Sequence, residues 1–218
     1  MEKENTCYDL LIVGQGLAGT CVAFEAMQRG LSIIVTDAQY QGAASSVAAG
    51  LFNPITGKRF SKSWLYDELY NHLVPFYKAI EQQLNTSLLF EIPIIRPLFT
   101  IEELNFIDGK SASIGFEDYL QTGKDQVIRL KGATMPYAQL NKGGFVKVPH
   151  LVQAFRKQLA AKQIFIHEAV ILGENCLQHE NGLWQYNDLL FKNVCVCSGF
   201  FDSKIQMQSR ITPVKGEI

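Results

Sequence analysis

An α/β fold built on a buried parallel sheet is predicted by three observations near the N-terminus. Residues 8–13 (YDLLIV) form a continuous apolar run, as a strand covered on both faces of a parallel sheet must be. Gly14, Gly16 and Gly19 follow at G-x-G-x-x-G spacing. Residues 17–29 then read as a helix capped by Gly30, and residues 31–36 as a second buried strand ending at Asp37. Each glycine has a steric reason. The first permits a tight turn, the second lets backbone approach a pyrophosphate, and the third brings the helix close to the strand. A phosphate then meets N–H groups at the helix N-terminus, and Asp37 is placed for ribose hydroxyls. In register, these parts make a Rossmann-like dinucleotide-binding unit.

With 218 residues and 47% hydrophobic composition, the chain can bury a substantial core in one domain or two small ones. Its 20 Lys plus Arg against 21 Asp plus Glu argue against nucleic acid as a partner, which calls for a basic surplus. No apolar run reaches the roughly 18 residues that span a bilayer. The opening MEKENTCYD lacks an apolar signal segment, so the cytoplasm is the expected location. Five cysteines at irregular positions suit free thiols in a reducing compartment. Cys195 and Cys197 share one face of a predicted strand with no second Cys or His pair nearby, and read as buried structural thiols. His72, His150, His167 and His179 share no ligand spacing, so no metal site is expected.

After Asp37, the small residues from Ala38 to Gly50 let backbone approach a ligand, and Ser45 and Ser46 offer hydroxyl and amide donors. Lys58, Arg59 and, far downstream, Lys215 are candidate anion contacts beside the plainer reading as surface charges. From 62 to 84, Trp64, Leu65, Leu69, Leu73, Phe76, Tyr77 and Ile80 recur at helical spacing as a core stripe, with Pro75 implying a break or kink. Residues 88–100 are strand-like but carry two prolines, which places them at an edge. Residues 102–120 are mixed and polar, while 127–130 and 143–148 are short strand candidates. Residues 61–145 therefore interrupt the βαβ rhythm and read as an inserted α+β domain between 1–60 and 146–200.

The rhythm resumes where Pro149 opens a helix with Leu151, Val152, Phe155, Leu159 and Ala160 on one face. A parallel strand at 164–167 follows, then short strands at 170–172, 176–179 and 183–186 with an Asn181-Gly182 hairpin turn. Residues 193–197 form a last buried strand, ending at Ser198 and Gly199 on a ligand-facing edge.

VGQGLAGT with Asp37, ASSVAAGLFNP at 44–54, GGFVKVPHLVQAFRKQLAAK at 143–162, VCVCSGF and the terminal ITPVKGEI together resemble the FAD-dependent oxidoreductases of the D-amino acid oxidase and glycine oxidase superfamily. The resemblance covers essentially the whole chain. It implies a glutathione-reductase-type FAD-binding domain carrying an inserted substrate domain, with residues 201–218 starting a return to that domain. Members continue for over a hundred further residues, so the chain is expected to be an incomplete, C-terminally truncated and by itself inactive piece. FAD is the implied cofactor. Gly14, Gly16, Leu17, Ala18 and Gly19 would meet its pyrophosphate, and Asp37 with Ala38 its adenosine ribose. Ala44, Ser45, Ala49, Gly50 and Leu51 would lie along pyrophosphate and isoalloxazine, Val170 beside adenine, and Ser198 with Gly199 near the cofactor. Gln15 is bulkier than the family's usual residue, and NPITGKRF is longer and more basic than its glycine oxidase counterpart. The implied reaction oxidises an amino acid or small amine by hydride transfer to flavin, and no catalytic acid or base is assigned. Alternatives are an FAD-dependent tRNA-modification oxidase domain, a nicotinamide-dependent dehydrogenase, and a fragment that holds no cofactor.

Overall fold

The computed structural model describes residues 6–57, 59–122 and 126–199. Lys58, Lys215 and the segment 201–218 lie outside the described residues. The chain divides into two compact units, Met1–Ala48 with Val148–Ile218, and Ala49–Lys147. The division falls earlier than the predicted 60/61 boundary because residues after Ala48 pair within the second unit.

The first unit opens with β1 (Cys7–Val13), α1 (Leu17–Gln28), β2 (Ile33–Thr36) and the short α2 (Ala44–Val47). In the second unit come β3 (Leu51–Phe52), β4 (Ile55–Thr56), β5 (Ser61–Lys62), α3 (Tyr66–Leu84), β6 (Leu89–Glu91), β7 (Ile94–Pro97) and α4 (Ile101–Ser111). It closes with β8 (Leu120–Gln121), β9 (Val127–Leu130), β10 (Ala133–Leu140) and β11 (Gly144–Val146). The chain then returns to the first unit as α5 (Val148–Ala161), β12 (Phe165–Ile166), β13 (Cys176–Gln178), β14 (Trp184–Tyr186) and β15 (Leu189–Val196).

The first unit is a six-stranded sheet in the order β12-β2-β1-β15-β14-β13. The pairs β12–β2, β2–β1 and β1–β15 are parallel, and β15, β14 and β13 continue antiparallel. Successive strands step outward from β1 to β2 to β12, and the chain then crosses to β15 on the other side of β1. The strand order thus reverses between β1 and β15, where open α/β sheets bind ligands. Burial explains the apolar runs. Leu11 and Ile12 are adjacent, point to opposite faces, and are both fully buried. Leu11, Val13 and Ile34 pack with Val170, Cys176, Tyr186 and Phe191, while Phe24 of α1 meets Phe155 of α5 edge-on at 6.5 Å. Helix α1 ends as its Gly30 predicts: Gly30 N–H donates to Met27 and Leu31 N–H to Ala26, with Gly30 at φ +71°. Leu31 serves that cap and β2 starts only at Ile33, later than predicted. Residues 170–172 form only an isolated bridge, Leu172 to Cys176.

The second unit is assembled from short, mostly antiparallel pieces: β7-β10-β8 with β9 on β10, β3-β11-β6, and β4-β5. Strands β6 and β7, with Pro93 between them and Pro97 ending β7, lie at sheet edges, as predicted. Three expectations need correction. Helix α3 runs unbroken through Pro75, which forfeits one backbone bond within a 19-residue element. Its stripe is only partly core, because Ile80 is fully buried whereas Trp64 is 81% and Leu69 54% exposed. Residues 101–111, read as featureless, form α4, whose Thr100 side chain accepts from Glu103 N–H while the Glu103 carboxylate accepts from Phe99 N–H. Strand β10 was also invisible in the sequence because it contains Pro136. The strand changes partners there, pairing with β9 up to Pro136 and with β7 from Tyr137. A missing donor is tolerated at such a switch.

Candidate functional site

Strands β1, β2 and β15 all end at one edge of the first unit's sheet, and a cleft of about 810 Å³ opens there, within the roughly 300–1,000 Å³ typical of small-molecule sites. The glycine turn forms one wall. Gly14 stands at φ +95°, and a Cβ on it would lie 2.6 Å from the Cys197 carbonyl carbon. A Cβ on Gly19 would lie 1.9 Å from the Gly14 carbonyl oxygen, so α1 is seated against the turn at a distance only glycine allows. Gly16 is the N-cap of α1 and supplies no capping side chain. The cap comes from another element, as Ser45 Oγ accepts the Leu17 N–H at 2.9 Å. The N–H groups of Ala18 and Gly19 complete the first turn, where an α-helix has no internal acceptors to offer.

Asp37 sits at the end of β2 with its side chain 16% exposed. One carboxylate oxygen accepts Gln15 N–H at 2.5 Å and the other Gln39 N–H at 2.6 Å. A carboxylate has about four lone-pair sites, so roughly two remain for further donors. Gln15, flagged by its bulk, turns inward and is fully buried. Its amide nitrogen donates to Thr20 Oγ1 at 2.8 Å and the Val152 carbonyl at 3.1 Å, and its Oε1 accepts from Arg156 Nε at 2.6 Å. Arg156 also reaches Gln39 Oε1 at 3.0 Å and lies 3.7 Å from Asp37. The buried Thr36 also lines the cleft, and its Oγ1 has no hydrogen-bond partner among the described residues.

Opposite the glycine turn, Glu168, Ala169, Val170 and Ile171 line the cleft. The Glu168 carboxylate accepts a short hydrogen bond from the Tyr186 hydroxyl. Burial, then that carboxylate, push the Tyr186 phenol well above its ordinary range. At the β15 end, Cys195 and Cys197 bring their sulfurs to 3.8 Å and remain free thiols. Both are half-buried, not fully buried as predicted, because Cys197 opens onto the cleft. Burial, with the Cys195 thiol beside it, pushes Cys197 up to about 12, so it stays protonated at neutral pH.

Gly14, Gly16, Asp37, Ala38, Ala44, Ser45, Val170, Ser198 and Gly199 all line this cleft. Leu17, Ala18 and Gly19 form the first turn of α1 behind it. Ala49, Gly50 and Leu51 belong to the second unit, where Leu51 opens β3. Arg59 is also in the second unit, exposed, with its carbonyl accepting from Lys110 Nζ at 2.8 Å. Arg156, Thr36 and Glu168 are cleft residues that the sequence did not single out, and Gln15 was noted for its bulk but given no role. Only Gln15 left a signal, as an outsized side chain inside a glycine turn.

The model of the FAD dependent oxidoreductase family matches residues 9–218. The chain belongs to that family. FAD is the family's cofactor, which decides against the nicotinamide dinucleotide that the first strand, turn and helix leave open. Among solved structures, glycine oxidase from Geobacillus kaustophilus superposes with a TM-score of 0.66 at 22% identity, covering 91% of this chain and 57% of that one. L-Amino acid deaminase from Proteus myxofaciens, in complex with anthranilate, gives 0.65 at 12% identity, covering 93% and 48%. L-α-Glycerophosphate oxidase from Mycoplasma pneumoniae with FAD bound gives 0.53 at 15% identity, covering 86% and 53%. The chain spans about half the length of these relatives. Among the described residues, no helix is long and apolar enough to cross a membrane.

Proposed function

We propose that this chain is the FAD-binding part, with a portion of the substrate domain, of an oxidoreductase that oxidises an amino acid or small amine. The observation that carries the reading is Asp37. It stands beside the glycine turn at the strand-order reversal, with two acceptor sites unspent, which matches a ribose diol. The residues fit an adenine dinucleotide in other respects. A Cβ at Gly14 or Gly19 would collide with the turn, so the surface there stays bare backbone for a pyrophosphate.

In this assignment Gly14, Gly16, Leu17, Ala18 and Gly19 hold the pyrophosphate, with Ser45 fixing the N-terminus of α1 against it. Asp37 and Ala38 hold the ribose, and Val170 lies beside adenine. Ala44, Ser45, Ala49, Gly50 and Leu51 would serve the pyrophosphate and isoalloxazine, and Ser198 with Gly199 would lie near the cofactor. The second unit, Ala49–Lys147, is assigned to the substrate domain. The chemistry that FAD would supply when held by these residues is acceptance of a hydride from the carbon bearing the amine. The chain's own residues bind it, orient it and exclude water. The amine substrate class is supported by glycine oxidase and L-amino acid deaminase among the structural relatives.

The test is anaerobic mixing of the FAD-loaded full-length protein with a panel of amino acids, N-methyl amino acids and simple amines while visible flavin absorbance is followed. Bleaching by a member of that panel is the expected result. Bleaching by a hydroxy compound such as glycerophosphate, and by no amine, overturns the substrate class.

A further inference from the structure

We propose that Arg156 is a positioning residue for the adenosine ribose: its guanidinium holds the two residues that grip Asp37, and so sets where that carboxylate offers its free acceptor sites. This rests on reading the cleft as the FAD site. The geometry has an unusual economy. The two backbone N–H groups that fix the Asp37 oxygens belong to Gln15 and Gln39. The side chains of the same two residues are the partners of Arg156, through Nε at 2.6 Å and Nη1 at 3.0 Å. A third contact runs from Nη2 to the Gln15 carbonyl at 3.4 Å, and the same nitrogen lies 3.7 Å from Asp37.

The Gln15 amide cannot turn away from this arrangement. Its nitrogen is spent on Thr20 and Val152, which leaves its oxygen directed at the arginine. Arg156 is 24% and Asp37 16% exposed, so water screens the pair less than it would at the surface. A planar fork is required, because one group must serve two amide oxygens and a carboxylate from fixed directions. A lysine, as a compact point charge, cannot reproduce all three. Nothing in the chemistry of a glycine turn demands this arginine. It contributes to specificity for a 2′-hydroxyl through Asp37.

The experiment measures the affinity of the full-length protein, stripped of flavin, for ADP and for 2′-deoxy-ADP by competition with FAD, in the wild type, Arg156→Met and Arg156→Lys. Wild type is expected to favour ADP by about tenfold or more, the discrimination that one hydrogen bond to a charged group provides. In Arg156→Met the ratio should fall below about threefold, with Arg156→Lys between the two. If Arg156→Met does not fold, the lysine variant carries the test through the same ratio. A scaffold role alone would weaken both nucleotides together and leave the ratio unchanged, and that outcome overturns the proposal. Equal wild-type affinity for the two nucleotides overturns it as well. A wild type that binds neither FAD nor ADP instead overturns the cofactor reading of the cleft.

Discussion

The first unit hangs its cleft on a parallel sheet whose strands end together, whereas the second joins short antiparallel pieces through rings and cations. In the first, Leu11, Ile12, Tyr186 and Phe191 are fully buried, the cleft wall is bare backbone at Gly14, and Gly19 seats α1 behind it. In the second, Tyr119 is held edge-on by Tyr66 at 6.0 Å, with Lys62 and Lys142 over its ring at 4.5 and 4.8 Å. Arg96 covers the Phe60 ring at 3.7 Å. Such contacts contribute about 0.5–1.5 kcal/mol each, and they rim a buried core in which Phe60, Tyr66 and Tyr119 pack with Ile55, Ile107 and Leu140. The first unit thus leaves bare backbone along its cleft, whereas the second is knit together by side chains.

The strongest way to break this contrast is Gly19→Ala. With the added carbon 1.9 Å from the Gly14 oxygen, the helix must shift off the turn, at a cost of about 3 kcal/mol or more, and FAD binding should be lost. Urea unfolding followed by Trp184 fluorescence in a Trp64→Phe background reports this, since the chain has 2 tryptophans and only Trp184 lies in the first unit. Gly144→Ala is the matching lesion in the second unit, where a Cβ would stand 2.1 Å from the Phe90 carbonyl oxygen. It should destabilise that unit by about 2–3 kcal/mol while leaving FAD affinity within a few-fold, read by flavin fluorescence quenching. Equal loss of FAD binding in both variants would show that the units do not separate function from shape.

Two smaller effects sharpen the same contrast. Ser45→Ala removes the cap on α1 and should cost about 1 kcal/mol in the first unit, with a several-fold weaker FAD complex by titration. In the second unit, burial of Glu81 raises its pKa, but the N–H groups of Leu88 and Leu89 and the Lys78 ammonium outweigh that and hold it below the ordinary 4.5. A depressed carboxylate stabilises the fold above its unfolded-state value and loses that contribution as pH falls through the folded-state value. Glu81→Gln should therefore cost about 1 kcal/mol at pH 7, and the difference from wild type should shrink as pH falls below 4.5 through the depressed folded-state value. Unfolding curves across that range measure it.

The parts legible in the sequence are those written by neighbours. The apolar run before Gly14, the glycine spacing and the Gly30 cap each act within a few residues, and β1, α1 and β2 follow from them. Helix α4 was also written locally, in the Thr100–Glu103 cap, but its mixed composition hid the signal. Strand β10 carries a proline that reads as a strand breaker until its change of partner is known. The Arg156–Gln15 contact joins residues 141 apart, and no local pattern encodes which polar residue of α5 will meet the glycine turn. The backbone of the cleft was thus legible, and the side chains that orient it were not.

The most direct measurement is calorimetric titration of the full-length protein, stripped of flavin, with FAD, with NAD and the Gly19→Ala variant as controls. Saturable one-to-one binding of FAD, absent with NAD and abolished by Gly19→Ala, is the expected result. No binding of FAD to the wild-type chain, or equal binding to Gly19→Ala, would contradict the assignment of this cleft as the flavin dinucleotide site.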